Sequence, residues 1–194
     1  MRIASMVGIK LFATGGIGGV HRGAQDSMDI SADLTEMAQT NVAIVAAGVK
    51  SILDIGLTLE YLETLGIPVV TYQQDEFPSF YSSKSGFKSP LRLDKPQDIA
   101  QLIQAKWDLQ LAGSVLIANP VPKEFEMDQQ AIEKTIQQAL AQADAQGVKG
   151  KEITPFLLKY IADTTQGESL EANIALIKNN ARTAAAIAVA LSKL

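Results

Sequence analysis

Short apolar runs alternate with amphipathic helical patterns along this chain, and this order constrains its fold more than any other feature of the sequence. The runs are rich in Val, Ile and Leu and are bounded by Gly or Pro, as is typical of buried parallel strands. Alternating strands and helices predict an α/β fold with a mainly parallel sheet and right-handed crossovers. The predicted strands are Ile9–Ala13, Val42–Ala47, Val69–Tyr72 and Val115–Ala118.

The spacing of apolar residues predicts one helix after each of these strands. Gly66 is expected to end the second helix. The last fifty residues predict two C-terminal helices, one capped by Thr154 and one running from the cap Ser169 to about Ser192. The segment Gln73–Asp94, rich in Pro and Ser, predicts a long loop. The four earlier helices are predicted at Ala32–Thr40, Thr58–Leu65, Pro96–Leu109 and Asp128–Gln146.

Composition limits the functions open to this chain. Its 194 residues suffice for a single domain, residues 1–194. With 17 basic and 21 acidic side chains the formal charge is −4, so no nucleic-acid partner is expected. The absence of cysteine excludes a disulfide scaffold and thiolate chemistry and fits a cytoplasmic protein. The apolar run Ala184–Leu191 is far shorter than a membrane span requires, so no membrane partner is expected either.

A dense glycine turn follows the first predicted strand. A dinucleotide-binding fingerprint would need glycine where His21 stands, and a P-loop would need Gly-Lys-Ser/Thr, so neither motif is present. The turn either exposes backbone N–H groups to an anion or contains glycines because it needs positive φ angles. The residues alone favour neither of these two interpretations. The glycines concerned are Gly15, Gly16, Gly18 and Gly19.

Acidic residues follow His21 at short intervals. A carboxylate together with backbone oxygens and waters suits a hard cation such as magnesium or manganese. Alternatively, Asp29 caps the helix that starts near Ser31, and Asp33 stabilises the positive end of that helix. Taken alone, the residues favour the cap. The acids in question are Asp26, Asp29 and Asp33.

Lys50 is the most specific candidate for chemistry, because it directly follows the apolar run Val42–Val49, where a buried strand would end. In an open α/β sheet, ligands bind in the crevice beyond the carboxyl ends of the strands. A desolvated lysine amine in such a crevice can attack a carbonyl. The alternative is an ordinary ion pair between Lys50 and Asp54. In the last helix, Asn173 is a candidate ligand contact, whereas Asn179 and Asn180 are equally compatible with polar surface.

Several strings, in order along nearly the whole chain, resemble the pseudouridine-5′-phosphate glycosidase family. That resemblance implies reversible cleavage of the C–C glycosidic bond of pseudouridine 5′-phosphate to uracil and ribose 5-phosphate, a Mn2+ cofactor, and a homotrimer of α/β/α layered subunits with C-terminal helices. The strings are FATGGIGGVHRG, DISADL, AAGVKSILDIGLTLEYLETLGIPVVTYQ, FPSFY, ANPVP, GKEITPFLL and SLEANIALIKNNA.

The same resemblance assigns roles to individual residues. Lys50 matches the covalent nucleophile and Asp29 the metal-binding carboxylate of the family. The segment from Ser31 through Ala32 to Asp33 matches its substrate-contacting segment. Three further residues match motifs that line the same pocket, namely Thr14, His21 and Asn173.

The family pattern also contains an N-terminal half, with a glutamate proton donor and a substrate-binding lysine, ahead of the GIKLF strand. We therefore expect this chain to correspond to the C-terminal portion of such an enzyme, inactive and prone to self-association on its own. Two alternatives remain: a catalytically inactive subunit that binds a sugar phosphate or another protein, and another Schiff-base lyase acting on a phosphosugar.

Overall fold

The computed structural model describes residues 1–148 and 152–194. Its centre is a five-stranded sheet in the order β1-β3-β7-β5-β6, in which every neighbouring pair is parallel. Two further strands, β2 and β4, form a small antiparallel pair. The strands are β1 (Leu11–Ala13), β2 (Val20–His21), β3 (Ala43–Ala46), β4 (Leu53–Asp54), β5 (Val69–Tyr72), β6 (Leu91–Leu93) and β7 (Leu116–Ala118). The predicted α/β fold is confirmed.

Helices connect the strands and dominate the C-terminal part. The α-helices are α1 (Arg2–Met6), α2 (Ala24–Ser27), α3 (Ala32–Gln39), α4 (Ile55–Thr64), α5 (Pro96–Asp108), α6 (Gln129–Ala145), α7 (Ile153–Thr164) and α8 (Glu168–Leu191), and a 3-10 turn covers Lys123–Phe125.

Two apolar cores lie on opposite faces of the sheet. On one face Ile44 and Leu116 pack in a core with residues of α3, α4, α6 and α7. On the other face Val45 and Ile117 pack with α5 and the C-terminal half of α8. Burying each of these side chains contributes about 1.5–3 kcal/mol to folding. The arrangement is the expected α/β/α layering, and burial on both faces explains why the central strands read as continuous apolar runs.

The second predicted helix begins earlier than expected. Helix α4 starts at Ile55 because the side chain of Asp54 accepts a hydrogen bond from Leu57 N at 2.9 Å, which makes Asp54 its N-cap. At the other end Gly66 has φ +66°, so the predicted glycine stop is confirmed.

Both predicted caps of the C-terminal helices are wrong. Thr154 lies inside α7, which begins at Ile153. Ser169 lies inside α8, whose N-cap is Gly167, with φ +94°. The Ser169 side chain is buried and its Oγ lies 2.9 Å from Thr165 Oγ1, so it joins the two helices instead of capping one.

The predicted loop Gln73–Asp94 contains strand β6, which sequence patterning misses. β6 pairs in parallel with β5 at the edge of the sheet, and Leu91 is exposed, so the segment lacks an apolar run. The rest of the segment is anchored by the buried aromatic side chains of Phe77, Phe80 and Tyr81. The rings of Phe80 and Tyr81 meet edge to face with centroids 4.7 Å apart.

Helix α8 is the one helix in the described part of the chain that length and composition would allow to cross a membrane. Here its residues Leu176, Asn180 and Ile187 are buried against the domain. Its residues Leu170, Ile174, Ile177 and Val189 are exposed, so only part of the apolar surface of α8 is buried against the domain.

Candidate active site

The segment carrying Lys50 joins the glycine turn at the carboxyl edge of the sheet. After β3 ends, Ala47 N donates to Gly15 O at 2.8 Å and Lys50 N donates to Ile17 O at 3.1 Å. In the opposite direction, Ile17 N donates to Gly48 O at 3.1 Å. These backbone bonds fix residues 47–50 beside the turn that follows β1. Lys50 therefore stands where ligands bind in open α/β sheets.

Lys50 lines a cavity of about 240 Å³ at this edge. The residues before it in β3 and the following turn are buried, whereas Lys50 itself is partly exposed. Among the described residues its amine has neither a salt bridge nor a hydrogen bond, and the alternative pairing with Asp54 is not formed. The amine is thus available to a ligand. The cavity lining comprises Met1, Phe12, Thr14, Gly16, Ile17, Asp33, Glu36, Met37, Ile44 and Lys50.

Close approach requires the glycines at Gly16, Gly18 and Gly19. Positive φ angles are absent at all four glycines of the turn. A Cβ on Gly18 would lie 2.7 Å from Asp33 Oδ2 and would also clash with Ser31. A Cβ on Gly16 would lie 2.7 Å from the ring of Phe80. The interpretation based on positive φ is therefore wrong. The glycines bring the backbone against the side chains that surround the cavity.

The start of α3 is fixed by two hydrogen bonds. Ser31 is the N-cap, with its Oγ accepting from Asp33 N at 3.2 Å. Asp33 Oδ2 in turn accepts from Gly18 N at 2.8 Å, which ties α3 to the glycine turn. Asp33 lines the cavity, and Ser31 and Ala32 lie beside it at the helix start but outside the lining.

Asp29 is not the helix cap that the residues alone favoured, because Ser31 fills that position. Its carboxylate is 44% exposed, and its Oδ2 lies 3.9 Å from Nδ1 of His21. The two residues also share a backbone hydrogen bond, from His21 N to Asp29 O at 3.0 Å. The pair therefore presents one carboxylate and one imidazole, partly open to solvent.

This donor set fits a divalent cation that keeps most of its water. Residues 1–148 and 152–194 hold no group of three or more His, Cys, Asp or Glu side chains able to enclose a metal ion. Manganese accepts carboxylate and water oxygens together with imidazole nitrogen, so Asp29, assisted by His21, fits a loosely held hydrated ion.

Two asparagines of helix α8 contact the segment where β1 leads into the glycine turn. Asn173 lies against the turn, since its Oδ1 would be 3.3 Å from a Cβ on Gly15. Asn180 is fully buried, donates to Thr14 O at 2.8 Å and accepts from Asn119 Nδ2 at 2.9 Å. The surface interpretation of Asn180 is therefore wrong. Its partners are distant in sequence, so no local signal marked it.

Among the residues predicted from the sequence, the structure brings three into the cavity itself, namely Thr14, Asp33 and Lys50. The others lie outside its lining, and they are Ser31 and Ala32 at the start of α3, Asn173 on α8, and the pair His21 and Asp29. The roles assigned to all of them stay predictions.

Comparison with known proteins agrees with this architecture. Residues 1–190 match the family described as Indigoidine synthase A like protein. A pseudouridine-5′-phosphate glycosidase of Clostridium botulinum is 57% identical over 194 residues, which are 100% of this chain and 63% of the relative. One of Geobacillus kaustophilus is 59% identical over 192 residues, 99% of this chain and 64% of the relative. The chain thus spans less than two thirds of these relatives.

Two solved structures share the fold. The prealnumycin C-glycosynthase AlnA, crystallised in complex with ribulose 5-phosphate, superposes with a TM-score of 0.94 at 38% identity, over 99% of this chain and 63% of AlnA. An indigoidine synthase A-like protein from Thermotoga maritima gives a TM-score of 0.88 at 39% identity, over 98% of this chain and 62% of that protein. The chain therefore belongs to the indigoidine synthase A like family, the family of the pseudouridine-5′-phosphate glycosidases that it resembles.

Proposed function

We propose that this chain supplies the nucleophile and part of the substrate site for reversible cleavage of the C–C glycosidic bond of pseudouridine 5′-phosphate to uracil and ribose 5-phosphate. Relatives that are 57% and 59% identical carry the name of that activity. The structural neighbour AlnA, named as a C-glycosynthase, holds a five-carbon sugar phosphate. Both findings support a sugar phosphate and a carbon–carbon glycosidic bond as the substrate class.

The observation that carries the proposal is the position of Lys50. It is the one lysine in the lining of the cavity at the carboxyl edge of the sheet, which it shares with Thr14 and Asp33. Its amine forms no ion pair among the described residues, so no carboxylate holds it away from a substrate. An unpaired amine beside a small cavity with a largely apolar lining suits covalent catalysis through an imine.

A lysine suits this reaction better than the usual pair of carboxylates. A C-glycoside has no leaving-group oxygen to protonate, so the ordinary glycosidase mechanism does not apply. Opening the ribose ring makes C1′ electrophilic through conjugation with the uracil ring. The Lys50 amine adds to C1′, and a proton delivered to uracil C5 then lets the C–C bond break. Uracil leaves, and water hydrolyses the remaining imine to ribose 5-phosphate and free lysine.

The neighbouring residues bind and orient the sugar phosphate in this proposal. The start of α3 carries the partial positive charge of a helix N-terminus, which suits an anionic phosphate near Ser31 and Ala32. Asp33, held by Gly18 N at 2.8 Å, presents its second carboxylate oxygen toward the sugar hydroxyls. Thr14 and Asn173 supply further polar groups beside the glycine turn.

We assign a Mn2+ ion to Asp29, with His21 as the nearby imidazole. When bound, the ion supplies a positive charge and ordered waters beside the anionic substrate. The 44% exposure of the Asp29 carboxylate leaves room for those waters. His21, whose Nδ1 lies 3.9 Å from Asp29 Oδ2, orients the carboxylate.

We further propose that the protein acts in the cytoplasm as a homotrimer, as the family resemblance implies. Its proposed ligands are a phosphorylated sugar and uracil together with Mn2+, and the composition points to no nucleic-acid or membrane partner.

A second candidate is a related Schiff-base reaction on a phosphosugar with a different base or aromatic group. AlnA favours it, since a C-glycosynthase of the same fold is 38% identical to this chain. The higher identity of the glycosidases favours uracil. Release or uptake of each member of a panel of nucleobases and aromatic acceptors separates the two candidates.

The experiment that tests the nucleophile is borohydride trapping with ribose 5-phosphate, followed by peptide mass mapping. It uses this chain joined to the N-terminal segment of the Geobacillus kaustophilus relative. We expect one reduced adduct, on Lys50, and none in Lys50→Ala. Lys88→Ala, which changes an exposed lysine, is the matched control and retains the adduct. An adduct on another lysine, or full turnover by Lys50→Ala, would refute the assignment.

A further inference from the structure

Arg22 joins three segments around the Lys50 turn. It directly follows His21, the last residue of β2. Its Nη1 and Nη2 donate to the two carboxylate oxygens of Glu133 on α6 at 2.5 and 2.9 Å. Nη2 also donates to the backbone oxygen of Ser51 at 3.3 Å. Because Ser51 is the residue after Lys50, one side chain links β2, α6 and the segment that carries the amine.

The turn around Lys50 has two other anchors, both made by backbone atoms. Lys50 N donates to Ile17 O at 3.1 Å, and Leu53 N donates to Lys50 O at 3.0 Å. Leu53 then pairs with His21 in the small antiparallel sheet. The bond from Arg22 to the backbone oxygen of Ser51 adds a side-chain restraint between these two anchors.

The fork between Arg22 and Glu133 is suited to holding a fixed geometry. A guanidinium that binds a carboxylate through two parallel hydrogen bonds has little freedom to rotate. Gln137, one helical turn further along α6, donates to Glu133 Oε1 at 2.8 Å and orients the same carboxylate. The Arg22 hydrogen bonds hold the pKa of Glu133 below its usual range, so the pair stays charged at neutral pH.

Two buried polar atoms in this arrangement lower the stability of the fold, so stability alone does not explain why the arrangement is present. Arg22 Nε and Ser51 Oγ are both buried, and neither has a hydrogen-bond partner among the described residues. Unpaired buried polar atoms are rare in proteins because each one lowers the stability of the fold. Ser51 is the residue after Lys50, and Arg22 is hydrogen-bonded to the backbone oxygen of Ser51. Such a cost beside a proposed nucleophile is consistent with a constraint on its position.

We propose that Arg22 is a positioning residue that fixes the turn from Lys50 to Leu53 and thereby aims the Lys50 amine at the carbon it attacks. This inference rests on the proposed function. Arg22 and Ser51 line a separate cavity of about 360 Å³, and Arg22 is absent from the lining of the Lys50 cavity. Replacing Arg22 should therefore lower the rate at which Lys50 attacks the substrate and leave the affinity for the substrate unchanged.

The first test compares Arg22→Met with the parent protein, again with the chain joined to the relative's N-terminal segment. The measured quantity is the rate of imine trapping over a range of ribose 5-phosphate concentrations. A nucleophile misplaced by about 1 Å loses on the order of 10²-fold in rate, so we expect a fall of that order in the maximal rate. The half-saturating concentration should stay the same. Arg22→Lys, which keeps the charge and one donor, should recover part of the rate.

The matched control is Arg92→Met. Arg92 also binds two carboxylates, those of Asp75 and Asp94, but it lies on the edge strand β6. Its loss should leave both trapping parameters unchanged. If Arg22→Met does not fold, Glu133→Gln removes the fork while keeping the shape of the side chain, and the same change in maximal rate is expected from it.

The second test needs no ligand. Hydrogen–deuterium exchange of the Leu53 amide in the 194-residue chain should be faster in Arg22→Met than in the parent or in Arg92→Met, because that amide bonds to Lys50 O. Unchanged exchange together with an unchanged maximal rate would overturn the inference. If the parent protein forms no Lys50 imine, the proposed function fails, and Leu53 exchange still decides whether Arg22 holds the turn.

Discussion

Asn180, in the middle of α8, donates its side-chain amide to the backbone oxygen of Thr14 at 2.8 Å, across 166 residues of sequence. The same side chain accepts a hydrogen bond from Asn119 Nδ2 at 2.9 Å, just beyond β7. One buried asparagine therefore ties the ends of β1 and β7 to the C-terminal helix. Of the residues in this connection, Thr14 lines the cavity that also contains Lys50.

Replacing Asn180 by Ala should destabilise the domain, because it leaves Thr14 O and Asn119 Nδ2 buried without their partner. Each such group costs about 1–3 kcal/mol, so the expected loss in free energy of unfolding falls in or above that range. Urea unfolding monitored by circular dichroism measures it. Asn179→Ala is the control, because Asn179 is partly exposed and makes a single bond, to Pro120 O at 3.0 Å. Equal losses in the two variants would contradict the prediction.

Gly18→Ala should disturb both stability and the site. The added Cβ would overlap Ser31 and lie 2.7 Å from Asp33 Oδ2, so the start of α3 must shift. Overpacking of this kind costs about 1–3 kcal/mol, and the bond from Gly18 N to Asp33 should lengthen. Thermal unfolding checks the first effect and a crystal structure of the variant the second.

Gly15→Ala is the matched control on the same turn. Its Cβ would meet Asn173 Oδ1 at 3.3 Å and Ile177 at 3.4 Å, distances that small adjustments of two side chains relieve. We expect a smaller loss of stability than in Gly18→Ala. If the order of the two losses were reversed, close packing would not be the reason for Gly18.

Asp29→Asn should abolish manganese binding, because it removes the carboxylate charge assigned to the ion. Electron paramagnetic resonance of free Mn2+ measures the affinity independently of turnover. Asp26→Asn, an exposed carboxylate on α2, is the control and should bind manganese like the parent protein. Unchanged affinity for Mn2+ in Asp29→Asn would show that Asp29 is not a metal ligand, and its contacts with His21 would then be its only assigned role.

The central strands and the place of Lys50 were predictable for one physical reason. A strand buried on both faces is largely apolar, so β3, β5 and β7 stand out in the sequence. Lys50 is the first charged residue after the buried run of β3 and lies four residues beyond the end of that strand at Ala46. β6 was missed because it lies at the sheet edge and exposes Leu91 and Arg92. No apolar run then distinguishes it from a loop.

The contacts that shape the site were not predictable from local sequence. Asn180 meets Thr14 and Arg22 meets Glu133 across more than one hundred residues, and each pair depends on the relative placement of whole helices. Asp29 was interpreted as a cap because Asp commonly fills that position, yet Ser31 lies closer to the start of α3 and takes it. When two nearby residues are both of types that commonly cap helices, local propensity does not show which of them is the N-cap.

Stability at acid pH should depend on Glu133. Its pKa is lowered mainly by the Arg22 hydrogen bonds, which outweigh desolvation by burial. A carboxyl group whose pKa is lower in the folded state adds stability above its unfolded pKa and loses it as the pH falls through the folded value. The parent protein should therefore lose more stability than Glu133→Gln between neutral pH and the acid range below about pH 4.

Chemical denaturation at a series of pH values measures this difference. Glu60→Gln, which changes an exposed glutamate on α4, is the control and should follow the pH dependence of the parent protein. Parallel pH profiles for Glu133→Gln and the parent would show that the Arg22 fork is too weak in solution to matter, and would also weaken the case for Arg22 as a positioning residue.

Turnover should depend on residues outside this chain, which spans 63% of the length of the Clostridium botulinum relative. The family resemblance assigns the proton donor to a glutamate ahead of the region matched here, and a general acid typically contributes about 10²–10⁴-fold to rate. Uracil release from pseudouridine 5′-phosphate by the 194 residues alone should be lower by a factor of that order than release by the chain joined to the relative's N-terminal segment. Chromatographic measurement of uracil, with Lys50→Ala of the joined protein as the blank, makes the comparison. Equal rates from the two proteins would mean that the acid lies within this chain, and Glu36, which lines the cavity with Lys50, would then be the first residue to replace.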